Sequence, residues 1–249
     1  HHIPALSNVL YSEDILFPIA DFYLKKERWN EAIEVYEEME TIGALQGRGA
    51  EYYQKLGYAL QKNKKYAEAI DAYLKADTLK PDNIWNNRHL AICYRLNRNY
   101  QAALSYYKKV EEATPEDTNV IFHIGSCLAE LGQYEEAANY FFKLDFIESN
   151  CIKAWRGIGW CSFISRKYEQ AMKYYEKIIE QKPLAIDYMN AGHVAWTMGD
   201  IQKAAALYGK SITANGNRER FLEMFRKDKE ALLKQGIQEE DIPLMLDLL

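Results

Sequence analysis

Apolar residues along this chain keep returning at the three-and-four spacing of one helix face, in pairs of short stretches separated by polar turns. In residues 50–83, Tyr53, Leu56, Gly57 and Leu60 make the apolar face of a first helix. Tyr66, Ala69, Ile70, Tyr73 and Ala76 make the matching face of a second helix, which Pro81 closes because proline cannot continue it. The second-helix signature is Ala-x-x-x-aromatic, found at Ala32–Tyr36, Ala69–Tyr73, Ala103–Tyr107, Ala137–Phe141, Ala171–Tyr175 and Ala204–Tyr208. Its alanines are 37, 34, 34, 34 and 33 residues apart, so one helical hairpin is repeated along the chain. Gly57 and Ala69 are small enough for the two helix axes to approach closely, and Tyr73 is expected to fill the gap to the next hairpin. A single hairpin cannot bury both of its faces, so its stability has to come from stacked neighbours.

These residues resemble the tetratricopeptide repeat (TPR), whose pattern is Trp-x-x-Leu-Gly-x-x-Tyr, then Ala-x-x-x-Phe, then Pro. Trp155, Ile158, Gly159, Ala171, Tyr175 and Pro183 match it in the fifth copy, with Ile158 in place of Leu. The third copy offers Leu90, Ala91, Tyr94, Ala103, Tyr107 and Pro115, and the sixth Tyr188, Gly192, Ala204 and Tyr208. An aromatic residue also stands three before each alanine at Trp29, Tyr66, Tyr100, Tyr134 and Tyr168, with Ile201 in the last copy. The resemblance implies an all-α fold, a right-handed α-α superhelix (solenoid) of about six TPR helix hairpins with a C-terminal capping helix. The expected division is a partial helix at 1–12, repeats at 13–49, 50–83, 84–117, 118–151, 152–184 and 185–218, and capping helices at 219–249.

Departures from the pattern have local readings. Ser149 stands where the fourth copy should have proline, in a polar turn that serves the same end. The connection across residues 43–49 is glycine-rich but lacks the order of a phosphate loop, and reads as a flexible joint. Residues 218–235 are highly charged, yet Phe221, Met224, Phe225, Ala231 and Leu232 fall on one stripe, as a cover for the last hairpin requires, and Gly236 ends that helix. The tail 241–249, with Leu244, Met245, Leu246, Leu248 and Leu249, is too apolar to be left in water. It packs on the last repeat or enters another molecule's groove.

Composition removes several functional classes. A net charge of −5 gives no long-range attraction for nucleic acid or an anionic membrane, and no apolar run approaches the roughly 20 residues of a spanning helix. The chain begins His1-His2-Ile3-Pro4 with no leader features, which reads as a start inside a longer protein. Cys93, Cys127 and Cys161 are each 34 apart, hence at one position in successive hairpins and too distant to bridge. They read as small buried hydrophobes, and reduced thiols suit the cytoplasm. No H-E-x-x-H, C-x-x-C, G-x-S-x-G or Walker motif is present, and the histidines do not cluster. The expectation is therefore no enzyme, no metal and no cofactor.

In the family, first helices line the concave side of the superhelix, so binding residues are expected on first helices away from the core stripe. Those positions hold Trp85, Arg88, Ile92 and Arg95; Phe122; Lys153, Arg156, Trp160 and Phe163; and Met189, His193 and Trp196. Such places are ordinarily polar, and Trp and Arg are the residues that most often dominate binding energy. The expected role is a non-enzymatic protein-interaction scaffold taking a protein or peptide segment with apolar anchors and some acidic residues. The repeats that hold the C-terminal carboxylate of heat-shock chaperones need a Lys, Asn, Asn, Lys, Arg set that no run of positions here supplies. Rival readings are a regulatory or substrate-presenting region of a larger enzyme, and a homo-oligomer assembled through the apolar tail.

Overall fold

The computed structural model describes residues 13–43 and 47–249, with the side chains of 13 and 14 excepted. The expected helix at 1–12 and the centre of the joint, 44–46, lie outside the described residues. Fourteen helices and no strand occur among the described residues: α1 (Glu13–Lys25), α2 (Trp29–Thr41), α3 (Gly49–Lys62), α4 (Tyr66–Leu79), α5 (Ile84–Leu96), α6 (Tyr100–Ala113), α7 (Thr118–Glu130), α8 (Tyr134–Ile147), α9 (Ile152–Ile164), α10 (Tyr168–Ile179), α11 (Ala185–Thr197), α12 (Ile201–Asn215), α13 (Arg218–Lys234) and α14 (Asp241–Asp247). They fall into two compact units, one carrying α1 to α6 and ending at Thr114, the other beginning at Pro115 and carrying α7 to α14. Within each unit consecutive helices pack as antiparallel hairpins, and each hairpin packs on the next.

Each hairpin turn uses the same backbone device. Glu27, Lys64, Arg98, Gly132, Arg166 and Gly199 all take positive φ, between 55° and 85°. The next residue's N–H closes the helix end by donating five residues back, as in Lys65 to Leu60 O (2.9 Å), Asn99 to Tyr94 O (2.8 Å) and Asp200 to Ala195 O (2.9 Å). Several helices then start on a side-chain cap: Asn83, Asn99, Asp117, Asp200 and Asn217 each accept a backbone N–H of the first turn.

The repeat signature is the core. Ala32, Ala69, Ala103, Ala137, Ala171 and Ala204 are fully buried, and so, or nearly so, are the six aromatics that follow them. Those aromatics do more than bridge to the next hairpin. A Cβ placed on Gly57, Gly125, Gly159 or Gly192 would come within 2.5–2.9 Å of the ring of Tyr73, Phe141, Tyr175 or Tyr208, so each ring lies flush on the glycine of its own first helix. Phe141 also touches the following hairpin, where a Cβ on Gly157 would lie 2.5 Å from it. In α3 the deepest tyrosine is Tyr52, fully buried with its hydroxyl donating to Tyr36 O at 2.7 Å, while Tyr53 is half-buried. Cys93, Cys127 and Cys161 are buried and unbridged, and burial pushes the thiols of Cys93 and Cys161 up to about 12, far from nucleophilic. The tail behaves as half a cover: α14 buries Ile242 and Met245 but leaves Leu244 and Leu248 about 64% and 63% exposed.

Candidate functional site

In the first unit the first-helix face of α3 and α5 carries a cluster of rings. Trp85, 43% exposed at the start of α5, lies 4.0 Å from the His89 ring one turn on. Tyr58 of α3 stands 6.3 Å from Trp85 and 5.7 Å from His89, and Tyr73 stacks on His89 at 5.6 Å. Gln61 Oε1 fixes the arrangement, accepting from Tyr73 OH at 3.0 Å and meeting His89 Nδ1 at 2.8 Å. An amide oxygen only accepts, so Nδ1 carries the proton. Burial, with Lys62 and Arg88 nearby, lowers the His89 pKa to about 4, so the ring is neutral near pH 7. Of the expected residues here, Arg88 and Ile92 are half-buried, and Arg95 is half-buried with its Nε donating to Tyr107 OH at 3.3 Å. Tyr58, Gln61 and His89 complete the cluster; sequence reasoning set His89 aside because no second histidine stands near it.

In the second unit Phe122 of α7 is half-buried, with the Lys153 ammonium 5.7 Å above its ring and the same ammonium 3.2 Å from Glu148. Arg156 differs from its expected role. Its Nε and Nη2 reach both oxygens of Asp187, at 2.7 and 2.8 Å, and Asp187 also accepts from Leu184 N at 2.7 Å. The Asp187 side chain is 1% exposed, so this guanidinium neutralises a buried carboxylate on α11 and is no open cation for a partner. Asp187 carries no motif that would mark it in the sequence. Trp160 is half-buried, 5.7 Å from Phe163.

The other four expected surface residues are closed over: Phe163, Met189 and His193 are fully buried and Trp196 is 5% exposed. The cover over His193 and Trp196 is α13. Phe225 lies 5.4 Å from His193 and 6.5 Å from Trp196, and Phe221 packs on Tyr208 at 5.5 Å. The far end of α13 returns to the preceding hairpin, where Arg166 donates to Lys234 O (3.0 Å), Tyr168 OH to Gln235 Oε1 (2.9 Å) and Gln235 Nε2 to Ile164 O (3.3 Å). The Phe221/Phe225 stripe announces a covering helix, but how far back it lies depends on contacts some 70 residues apart in sequence.

Two hollows lie in the second unit. One, of about 200 Å³, has a polar lining that includes Glu135, Ser162, Lys167 and Gln170. The other, of about 410 Å³, lies between Trp196, Ile201 and the α14 residues Leu244, Met245 and Leu248. Among the described residues no group of three or more His, Cys, Asp or Glu could hold a metal ion, and no helix is long and apolar enough to cross a membrane.

Solved structures share this arrangement. A tetratricopeptide repeat protein from Parabacteroides merdae ATCC 43184 is 20% identical with a TM-score of 0.65, over 95% of this chain and 98% of that one. YrrB, described as a TPR protein with an unusual peptide-binding site, is 20% identical with a TM-score of 0.61, over 76% and 96%. MamA (MSR-1) is 25% identical with a TM-score of 0.60, over 68% and 95%. No curated protein matches the chain. Three family models described as tetratricopeptide repeat match residues 16–46, then 50–83, 152–183 and 188–218, and then 95–161. With hairpins stacked on glycine-and-aromatic contacts, and with these models spanning most of its length, the chain belongs to the tetratricopeptide repeat family.

Proposed function

We propose that this chain is a non-enzymatic interaction scaffold whose first-helix faces take a protein or peptide segment with apolar anchors. The observation that carries this reading is Trp85: a large aromatic, 43% exposed and backed by Tyr58 and by His89, whose ring is held by Gln61. A rigid, partly exposed indole loses little entropy when a partner covers it, which is why tryptophan dominates so many interfaces. Phe122 and Trp160 offer half-buried aromatic surface of the same kind on α7 and α9. YrrB's described peptide-binding site supports peptide recognition on this fold. With Arg156 tied to Asp187 and Lys153 beside Glu148, acidic residues in the ligand have a smaller part than the sequence implied.

The test is peptide selection. Peptides enriched from a random display library by the wild-type chain are titrated against Trp85→Ala and Trp160→Ala. The expected loss is at least about 2 kcal/mol, some thirtyfold in Kd, for one or both variants. Equal affinity for wild type and both folded variants, or no enrichment at all, defeats the reading.

A further inference from the structure

The α13 helix is built differently from a simple end cap. Ten of its 17 residues are charged, and only Phe221, Phe225 and Leu232 are buried. It lies as an amphipathic helix on Tyr208 of α12 and on the first-helix residues His193 and Trp196 of α11, where a ligand would sit, and its C-terminal end reaches Ile164 and Arg166 at the end of α9. Its seat is imperfect. His193, fully buried, has Nδ1 at 2.7 Å from Tyr208 OH, while Nε2 has no hydrogen-bond partner; the nearest carboxylate oxygen, Asp228 Oδ2 on α13, is 3.5 Å away. A buried nitrogen left unsatisfied costs free energy, and a cap that served only to cover apolar side chains would have no reason to aim a carboxylate at it. The link to α12 is short and bends at Gly216, whose φ of 80° is left-handed.

From this we infer that α13 is a replaceable occupant of the binding face, and that the partner taking its place is an amphipathic helix with an aromatic residue, a second aromatic four residues later and a carboxylate three residues after that. This is the pattern of Phe221, Phe225 and Asp228. A partner helix free of the Gly216 tether can bring its carboxylate within hydrogen-bond distance of His193 Nε2. The inference deepens the proposed function and rests on the reading of first-helix faces as binding surface.

The test uses the full chain and a fluorescent synthetic peptide of residues 217–235. Phe225→Ala weakens the internal occupant, so the peptide is expected to bind this variant at least about tenfold more tightly than wild type, while a peptide carrying its own Phe225→Ala binds neither. Leu232→Ala in the full chain, which removes a smaller buried side chain of α13 and leaves both rings in place, should give a smaller gain and serves if Phe225→Ala fails to fold. By hydrogen exchange, α13 amides should open about a hundredfold more readily than those of α11 and α12. Equal or absent peptide binding by wild type and the folded variants, or exchange of α13 as one cooperative unit with α11 and α12, overturns the inference. If that happens while Trp85→Ala or Trp160→Ala still loses the selected peptides, the scaffold function stands and only this occupant is removed.

Discussion

At the scale of single residues, the repeat is a contact between a ring and a missing side chain. Tyr208 shows how little slack there is: a Cβ on Gly192 would lie 2.5 Å from the ring, whose hydroxyl is bonded to His193 and which packs against Phe221 and Phe225. Gly192→Ala gains about 1 kcal/mol of helix propensity, but overpacking a ring that cannot move costs about 1–3 kcal/mol. The net expectation is a lower midpoint in urea denaturation followed by circular dichroism. Gly57→Ala, with its nearest ring atom at 2.9 Å, should lose less, and the third hairpin already carries Ala91 at that place. A larger loss for Gly57→Ala than for Gly192→Ala would contradict this packing account. The pairing of glycine and aromatic was visible in the sequence; that the ring lies on its own hairpin's glycine was not, because spacing alone does not say which of two neighbours a side chain meets.

At the scale of elements, α9 and α11 are joined by Arg156 and Asp187. Both hydrogen bonds reach a carboxylate that is almost wholly buried, whereas the arginine keeps a third of its side chain in water. Arg156→Leu leaves the carboxylate buried and unpaired. The cost should be about 2 kcal/mol, at the lower side of values for broken buried pairs because the arginine is partly solvated. Asp187→Leu added to Arg156→Leu should restore much of that loss, a coupling that a double-mutant cycle of unfolding free energies reads directly. Additive losses would mean the two side chains do not act as a pair. The same contact explains why Arg156 looked like a binding residue: a basic side chain at an outward position is indistinguishable, in sequence, from one whose carboxylate lies 31 residues further on. The α13 helix teaches the same lesson, since its stripe marks it as a cover without saying which helices it covers.

At the scale of the whole molecule, acid stability should carry the mark of His89. Its folded pKa, about 4, lies below the ordinary 6.5, so the unfolded chain binds the extra proton first. Stability is then unaffected by this group above about pH 6.5, falls as pH drops through the interval, and loses no more from it below about 4. Comparing melting temperatures at pH 7 and 5, His89→Phe should show a smaller drop than wild type; an equal drop would assign the acid sensitivity to other groups. The sequence by itself determined the helices, their pairing into hairpins and the family. These follow from periodicity and from alanines 33 to 37 residues apart, which are local quantities repeated often enough to leave one architecture. Only the tertiary structure decided which outward residues remain available. Trp85 stays partly open on a bed of Tyr58 and His89, Arg156 is taken by Asp187, His193 and Trp196 lie beneath α13, and Phe163 and Met189 are buried. Availability depends on what distant segments bring to the same place, and a helical repeat records only what each helix does with its neighbours.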